Sequence, residues 1–298
     1  MARPRCIRSG TTSMITRRCH QRTHRLRPSA ETNEIVLYCL GLAAEKTGLK
    51  LHAVCVMSNH HHIVATDADG RMPDFTREFH RSVAKALNAS QGQFESLWSN
   101  ERTHLTELVD ELDVLENIAY VGANPIDAGL VERPEDWPGV LLLPRDEPYR
   151  VRVPRPKAYF GDDSAAPKEV VLRIVPPEAL ANVAERVAAA IEQRLERARA
   201  KMRELGRSFL GKAAILATSF VKRARSFERR WELVPAITAR RADVKARWLA
   251  ARRWFLEAYH LALCAWRVGD RSVRFPEGTW WMRVFHGAST GVAEPPSE

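Results

Sequence analysis

The sequence of 298 residues lacks the features that mark membrane-spanning, secreted and thiolate-metal proteins. No stretch approaches the roughly 18 consecutive apolar residues that a membrane span needs. The charged N-terminus has no apolar block behind it, so no secretory signal is expected. Five cysteines are present without a C-x-x-C pair, which supports neither a disulfide framework nor a cysteine zinc site. We therefore expect a protein of a reducing, cytoplasmic compartment.

Charge is distributed unevenly along the chain, which carries a formal net charge of +10. Residues 1–150 hold 18 basic and 20 acidic side chains, whereas residues 151–298 hold 28 and 16. Residues 1–27 contain eight arginines and no acid, so two basic segments flank an acidic centre. This arrangement suits a protein that grips phosphate groups and holds a divalent metal. Solvated helix faces are the alternative interpretation.

The apolar periodicity predicts an α/β front half and a helical back half. In the front half it predicts an arginine-rich arm that ends in a short strand near Ser13–Arg17, helices over 31–47, 74–90 and 106–123, and two tightly joined strands over Leu49–Thr66. The proline-bearing passage Glu132–Pro156 is typical of a connection, and further helices are predicted over 177–205, 208–230, 235–240 and 241–266. We expect a nuclease domain over residues 1–150 and a basic, mainly helical domain over residues 151–298.

Three consecutive histidines, His60-His61-His62, stand between two apolar runs. Successive side chains of a strand alternate between its faces, so His60 and His62 are predicted to point one way and His61 the other. Two imidazoles one strand repeat apart are suited to bind a single divalent ion. Surface histidines that bind metal adventitiously are the alternative.

A second candidate site lies in the segment Asn117–Val131, NIAYVGANPIDAGLV. Asn124 follows Tyr120 by four residues, and residues i and i+4 share a face of a helix. A phenol and an amide oxygen would therefore converge on one ion. The alternative is that Tyr120 is a half-buried residue of an amphipathic helix that the Asn-Pro pair ends.

Together the two segments suggest phosphodiester cleavage by a tyrosine. A metal would polarise the phosphate and stabilise its developing charge, while the tyrosine attacks phosphorus as a covalent nucleophile. Two histidines and one carbonyl oxygen leave coordination positions open for phosphate oxygens. Mixed nitrogen and oxygen ligands fit manganese better than magnesium.

These residues resemble those of the single-tyrosine HUH transposases, and more closely those of their relatives, the REP-associated tyrosine transposases. The resemblance rests on Met57–Val64, MSNHHHIV, and on Tyr120–Pro125 and Ala128–Val131 some sixty residues later. The passage Asp74–Trp98 fits the middle segment of the same family. The resemblance covers roughly residues 13–150.

The resemblance implies a ferredoxin-like α/β domain, in which an antiparallel sheet carries the histidine strand and a neighbouring helix carries the tyrosine. It assigns His60, His62 and Asn124 as ligands of magnesium or manganese and Tyr120 as the nucleophile. Cleavage would leave a 5′-phosphotyrosine link and a free 3′-hydroxyl on single-stranded DNA, which usually folds as a hairpin.

Three features depart from the family pattern. His61 stands where the family has a bulky apolar residue. Gly122 lies in the predicted helical turn of the tyrosine, where glycine costs about 1 kcal/mol relative to alanine. The first strand is hard to recognise among the N-terminal arginines. None of these departures removes a catalytic group.

We therefore expect a transposase-type endonuclease and strand transferase. Phosphate contacts are expected from the arm (Arg17, Arg18, Arg22, Arg25 and Arg27) and from a basic helix (Lys222, Arg223, Arg225, Arg229 and Arg230). Trp280 and Trp281 either stack on unpaired bases or belong to the core. Two alternatives are a domesticated, non-catalytic protein that binds hairpin DNA, and a phosphodiesterase that activates water. Both a monomer and a homodimer are compatible with the sequence.

Overall fold

A computed structural model describes residues 4–158, 165–225 and 236–292. Its N-terminal part contains β1 (Thr11–Arg18), α1 (Ala30–Thr47), β2 (Lys50–Val56), β3 (His60–Asp67), α2 (Met72–Ser90) and β4 (His104–Leu108). The four strands lie in the order β2-β3-β1-β4, and each neighbouring pair is antiparallel. This is the split βαβ arrangement of a ferredoxin-like fold, so the predicted fold class is confirmed.

The rest of the chain extends this sheet and covers it. It contains α3 (Glu111–Asp127), β5 (Leu141–Leu142), β6 (Tyr149–Pro154), β7 (Glu169–Ile174), α4 (Val183–Glu204), α5 (Lys212–Ala217), β8 (Ile237–Thr238), α6 (Ala242–Arg267), β9 (Phe275–Pro276), α7 (Trp280–His286) and β10 (Thr290–Val292). The eight-stranded sheet has the order β6-β7-β2-β3-β1-β4-β8, with β5 paired to β2, and β9 pairs with β10 separately. Within the described ranges, no helix is long and apolar enough to cross a membrane.

The sheet separates two apolar layers, because alternate residues of each strand face opposite sides. On one side, α1 and α2 pack against a layer that includes Ile15, Val54 and Ile63. On the other side, α3 and α4 pack with a layer that includes Cys55 and Val64. The strand that carries the three histidines is therefore covered on both faces.

The predicted N-terminal arm is part of the folded body. β1 is a central strand that pairs with β3 along its whole length and with β4 over Ser13–Thr16. Ser29 caps α1 by accepting a hydrogen bond from the Thr32 backbone N at 3.0 Å. The arginines obscured this strand in the sequence because their side chains interrupt the apolar pattern, yet Ile15 at its centre is fully buried.

Two predicted boundaries around α3 are wrong. Thr106 belongs to β4, where it pairs with Met14, because Asp110 starts the helix by accepting a hydrogen bond from the Asp113 backbone N at 2.8 Å. The helix also continues through Pro125 to Asp127. Since Pro125 lies in the last turn, its ring removes only one helical hydrogen bond.

The passage Glu132–Pro156 is more than a connection, because it supplies β5 and β6. The boundary predicted at residue 150 falls inside β6, and β7 runs parallel to β2 through the pair Leu51 and Ile174. Both predicted parts of the chain therefore contribute strands to one sheet. The division into two domains stays a prediction.

The helices of the back half are confirmed in part. The helix predicted over 177–205 begins only at Val183, because Asn182 has a left-handed φ of 48°. The described part of the helix predicted over 208–230 is limited to α5, and residues 229 and 230 lie outside the described residues. The segment 235–240 contains the strand β8 instead of a helix, whereas 241–266 matches α6.

Candidate active site

The three histidines alternate across the sheet as predicted. The His60 and His62 rings lie 4.8 Å apart between centroids, on the side covered by α3. The His61 ring lies on the α2 side, 5.4 Å from the Phe79 ring, and its Nε2 is 2.9 Å from His80 Nε2. His61 is thus excluded from any ion that His60 and His62 share.

Helix α3 brings Tyr120 and Asn124 to the same place. Ile118 and Val121 are fully buried between the helix and the sheet, which fixes the rotation of α3. The Tyr120 ring lies 5.1 Å from the His62 ring. The Asn124 side chain lies close enough to both Tyr120 and His60 to shift their pKa values, lowering that of Tyr120 and raising that of His60. All four residues that the family resemblance assigns to catalysis and metal binding therefore converge.

The donor atoms in this cluster fit a divalent metal. His62 Nε2 is buried and has no hydrogen-bond partner among the described residues, although such atoms are nearly always paired. His62 Nδ1 is 2.8 Å from Thr16 Oγ1, and His60 Nδ1 is 2.6 Å from Asn59 Oδ1. These second bonds orient each ring as neighbours of metal ligands commonly do.

The cluster is not rich in acidic ligands. Within the residues that the structure describes, no group of three or more His, Cys, Asp or Glu side chains is arranged so that it could hold a metal ion. A metal would therefore rest on two imidazoles and the Asn124 amide oxygen, which leaves room for oxygen atoms from a substrate. Oxygen atoms of the substrate would then complete the coordination of the metal.

The electrostatics of the site keep its imidazoles neutral. Burial, with the charges of Arg22 and Arg18, lowers the pKa of His60 to about 4. Burial also lowers the pKa of His62 well below its ordinary value, and His60 adds to this effect. Neutral imidazoles are the form that would bind a metal, and both rings are in this form at neutral pH.

The Tyr120 hydroxyl is protonated at neutral pH. Burial raises the pKa of the phenol above its ordinary value, while the Asn124 side chain and the charge of Arg194 act in the opposite direction. A nucleophilic phenol of this kind has to lose its proton during attack. Attack by the Tyr120 hydroxyl would therefore require the removal of this proton.

Two of the arginines predicted to contact phosphate hold the interior together. Arg17 points to the α2 side, where its Nη1 donates to His80 Nδ1 at 3.2 Å. Arg25 is buried, and its guanidinium donates to Gln91 Oε1 at 2.7 Å and to Asn88 Oδ1 at 2.8 Å. These partners account for Arg17 and Arg25 without DNA.

Arg18 and Arg27 lie nearer the surface and also have protein partners. Arg18 Nη2 is 2.6 Å from Glu101 Oε1. Arg27 Nη1 donates to the Leu216 carbonyl oxygen at 2.5 Å. Their roles as phosphate contacts stay predictions.

The two basic segments of the sequence meet beside the histidines. Backbone hydrogen bonds of 2.8 and 3.2 Å join residues 22–24 to residues 222–224, and Thr23 forms an isolated antiparallel bridge with Arg223. Residues 222–225 were predicted to belong to a helix. They are instead extended and lie beside residues 22–24. The charge of Arg22 reaches His60 and helps to lower its pKa.

We call the resulting cationic surface the basic flank. Three of its four side chains, those of Lys222, Arg223 and Arg225, are exposed, and Arg22 is partly exposed. The flank consists of Arg22, Lys222, Arg223 and Arg225. It joins segments 200 residues apart in the sequence at one edge of the candidate site.

The tryptophan pair near the C-terminus divides between two environments. Trp280 is partly buried, whereas Trp281 is 57% exposed. The Trp281 ring lies 4.2 Å from the Phe285 ring. Of the two roles considered for this pair, a core position thus fits Trp280 better than Trp281.

Arg194 in α4 was not among the predicted site residues. Its guanidinium carbon lies 5.8 Å from the centroid of the Tyr120 ring. It also forms ion pairs with Glu116 and Asp127, which flank Tyr120 on α3. Several arginines repeat along α4, so no local pattern distinguishes the one that faces the tyrosine.

Two solved structures are similar to this chain. One is a REP-associated tyrosine transposase bound to a REP hairpin, with 18% identity, a TM-score of 0.39, and 47% of this chain and 80% of that chain covered. The other is a protein of Deinococcus radiodurans R1 that is assigned as a transposase, with 19% identity, a TM-score of 0.28, and 35% and 84% covered. No family model and no curated protein matches the sequence.

Proposed function

We propose that this chain is a metal-dependent, transposase-type endonuclease and strand transferase that cleaves single-stranded DNA of hairpin or repeat elements. One observation carries the proposal. The Tyr120 ring lies against His62, and the Asn124 side chain lies close to both Tyr120 and His60. A tyrosine with a purely structural role would not need to share the amide of Asn124 with His60, one of the two converging imidazoles.

The residues have separate tasks in the proposed reaction. His60, His62 and Asn124 would hold a magnesium or manganese ion, which when bound supplies polarisation of the phosphate and stabilises its charge. Tyr120 Oη attacks phosphorus, so a bond between phosphorus and Oη forms while the bond between phosphorus and O3′ breaks. The phenol gives up its proton, and the departing 3′ oxygen takes up one. The products are a 5′-phosphotyrosine and a free 3′-hydroxyl.

Strand transfer is the reverse of this step with a second strand. A different 3′-hydroxyl attacks the phosphotyrosine, the new phosphodiester forms, and the Tyr120 phenol regains its proton. The covalent link conserves the energy of the phosphodiester between the two steps. Rejoining therefore requires no external energy source.

The basic flank supports single-stranded DNA as the substrate. The charge of Arg22 reaches His60, and residues 222–224 pair with the segment that carries Arg22. These cations would contact backbone phosphates close to the scissile bond. Contacts of this kind position a strand without reading its sequence, and they weaken steeply as salt concentration rises. The base sequence would have to be recognised elsewhere.

A denaturing gel tests the proposal. Purified protein is incubated with manganese and a labelled pool of single-stranded hairpins from intergenic repeats of the source genome. We expect a slowly migrating protein–DNA adduct that is lost in Tyr120→Phe. Tyr149→Phe is the matched control, because Tyr149 is also partly buried but donates its hydroxyl to the Leu143 carbonyl oxygen at 3.0 Å.

Two other outcomes of these experiments would each support one of the alternative functions. Cleaved DNA without an adduct, unchanged in Tyr120→Phe, would show that water is the nucleophile. Shifted but uncut DNA on a native gel, under magnesium and under manganese, would identify a domesticated hairpin-binding protein. Either result would overturn the proposal.

A further inference from the structure

Helix α4 lies directly on the helix that carries Tyr120. Val187, Ile191 and Leu195 of α4 are buried against α3. The helices are in close contact at Gly122, where a Cβ atom would lie only 2.5 Å from Ile191 Cδ1. The glycine in the tyrosine's helical turn therefore has a packing reason, and α4 is held tightly against the nucleophile's helix.

Arg194 projects from this contact onto one stripe of α3. Its Nη2 is 3.3 Å from Glu116 Oε2, and its Nη1 is 3.6 Å from Asp127 Oδ2. Glu116, Tyr120 and Asp127 are spaced four and seven residues apart, a spacing that places them on one helix face. The guanidinium thus connects the turns before and after the tyrosine and lies over its ring, 5.8 Å from the centroid.

Resting on the proposed function, we infer that Arg194 is a positioning residue for the Tyr120 nucleophile. The ring has His62 on one side, 5.1 Å away, and the Arg194 guanidinium on another. A cation beside an aromatic ring attracts it, and the two carboxylates hold that cation in place. Rotation of the ring away from the histidines would lose this contact. Residues 183–204 are in this way coupled to cleavage.

The arrangement is specific to one arginine of the α3–α4 contact. Arg186, two turns earlier on α4, forms an ion pair with Glu111 near the start of α3. Both pairs join the same two helices, but Arg186 has no ring contact with Tyr120 among the described residues. Arg186→Gln therefore removes a comparable ion pair and leaves the nucleophile's surroundings unchanged.

Single-turnover cleavage of the hairpin pool separates positioning from general stabilisation. We expect Arg194→Gln to slow adduct formation about 10- to 100-fold, because small displacements of a reacting group cost factors of this size. DNA affinity, measured by anisotropy, should stay within about twofold. Arg194→Lys should recover part of the rate, and Arg186→Gln should cleave at the wild-type rate. Equal rates for Arg194→Gln and Arg186→Gln would overturn the inference.

A readout without DNA keeps this inference distinct from the proposed function. The chain has five tyrosines, so incorporation of 3-fluorotyrosine gives five fluorine resonances, of which Tyr120→Phe identifies one. We expect that resonance to shift or broaden in Arg194→Gln and to stay unchanged in Arg186→Gln. An unmoved resonance in both variants contradicts positioning. Absence of cleavage by the wild type contradicts the proposed function instead.

Discussion

At the scale of single residues, the arginines of the two basic segments differ in burial and in hydrogen bonding. Arg25 is buried and satisfied by two side-chain amides, whereas Arg223 is exposed in the basic flank. Burying a guanidinium is costly unless it is fully hydrogen-bonded. The hydrogen bonds of Arg25 are therefore expected to stabilise the folded protein. The exposed charge of Arg223 remains in contact with water and needs no such partners.

Substitution of these two arginines should separate stability from DNA binding. We expect Arg25→Ala to lower the free energy of unfolding in urea by about 1–3 kcal/mol, because two amide groups lose their partner. Arg223→Gln should unfold like the wild type. It should weaken binding of single-stranded DNA and reduce the salt dependence of the affinity by about one phosphate contact. The reverse pattern would mean that Arg25 is the phosphate contact.

At the scale of helices and strands, the sequence was sufficient where the apolar period was unambiguous. The βαββ order and the alternation of His60, His61 and His62 follow from that period and are confirmed. Thr106–Leu108 was assigned wrongly because a short strand and the first turn of a helix have similar apolar patterns. The pairing of β7 with β2 joins residues 123 positions apart (Leu51 and Ile174), and no local pattern encodes it.

The candidate site, too, could be predicted only where a local sequence pattern marks its residues. The resemblance to a family motif predicted His60, His62, Tyr120 and Asn124 as site residues, and these four side chains do lie together. The burial of Arg25 and the partly buried position of Arg17 were not predictable, since arginines are normally assigned to the surface. Arg194 was missed because its contact with Tyr120 depends on the packing of two helices and not on its neighbours in sequence.

The contact between α3 and α4 yields a prediction for Gly122. Alanine is the better helix former by about 1 kcal/mol, yet its Cβ would lie 2.5 Å from Ile191 Cδ1 and 3.3 Å from Leu143 Cδ1. Overpacking of this kind costs about 1–3 kcal/mol. We therefore expect Gly122→Ala to lower the unfolding free energy by about 1 kcal/mol in urea titrations.

A double variant checks the cause of that loss. Ile191→Val removes the Cδ1 atom that the new methyl group would meet. In Gly122→Ala combined with Ile191→Val, the total loss should be smaller than the sum of the two single losses. Strict additivity would show that the helices do not meet at this point.

At the scale of the whole molecule, the sheet depends on both halves of the chain. β6 and β7 extend the β2 side of the sheet, and α4 covers α3 with a row of buried apolar residues. A fragment that ends at residue 150 would expose both surfaces to water. Residues 1–211 retain β7 and α4.

Truncation should show this dependence directly. We expect residues 1–150 to give no cooperative thermal transition by circular dichroism, because the hydrophobic cover of β2 and α3 is missing. Residues 1–211 should melt cooperatively. A cooperative transition in the shorter fragment would support the division at residue 150 and contradict the dependence described here.

Buried neutral histidines should make the whole fold sensitive to acid. Burial lowers the pKa of His80 well below its ordinary value, and His61 and Arg17, which face it, add to the effect. Burial likewise lowers the pKa of His52. The unfolded chain therefore binds more protons than the folded one below about pH 6.5, the ordinary histidine pKa. Stability is fully present above that pH and falls as the pH decreases.

Urea titrations between pH 7.5 and pH 5 check the sign and the source. Each histidine that stays neutral only in the folded state costs about 1.4 kcal/mol per pH unit below about pH 6.5. His80→Gln should reduce the slope of the unfolding free energy against pH by the contribution of one histidine, whatever its effect on stability at pH 7.5. Stability that rises on acidification would show that these imidazoles are charged in the folded protein.

The junction between residues 22–24 and 222–224 has a practical consequence for engineering. Its hydrogen bonds run between amides and carbonyl groups of the backbone, so it is indifferent to the side chains that the two segments carry. Lys222 and Arg223 can therefore be randomised in a library while the framework that presents them stays in place. Selection from such a library would retune how tightly a bound strand is held and how steeply that binding depends on salt, without redesign of the candidate site beside it.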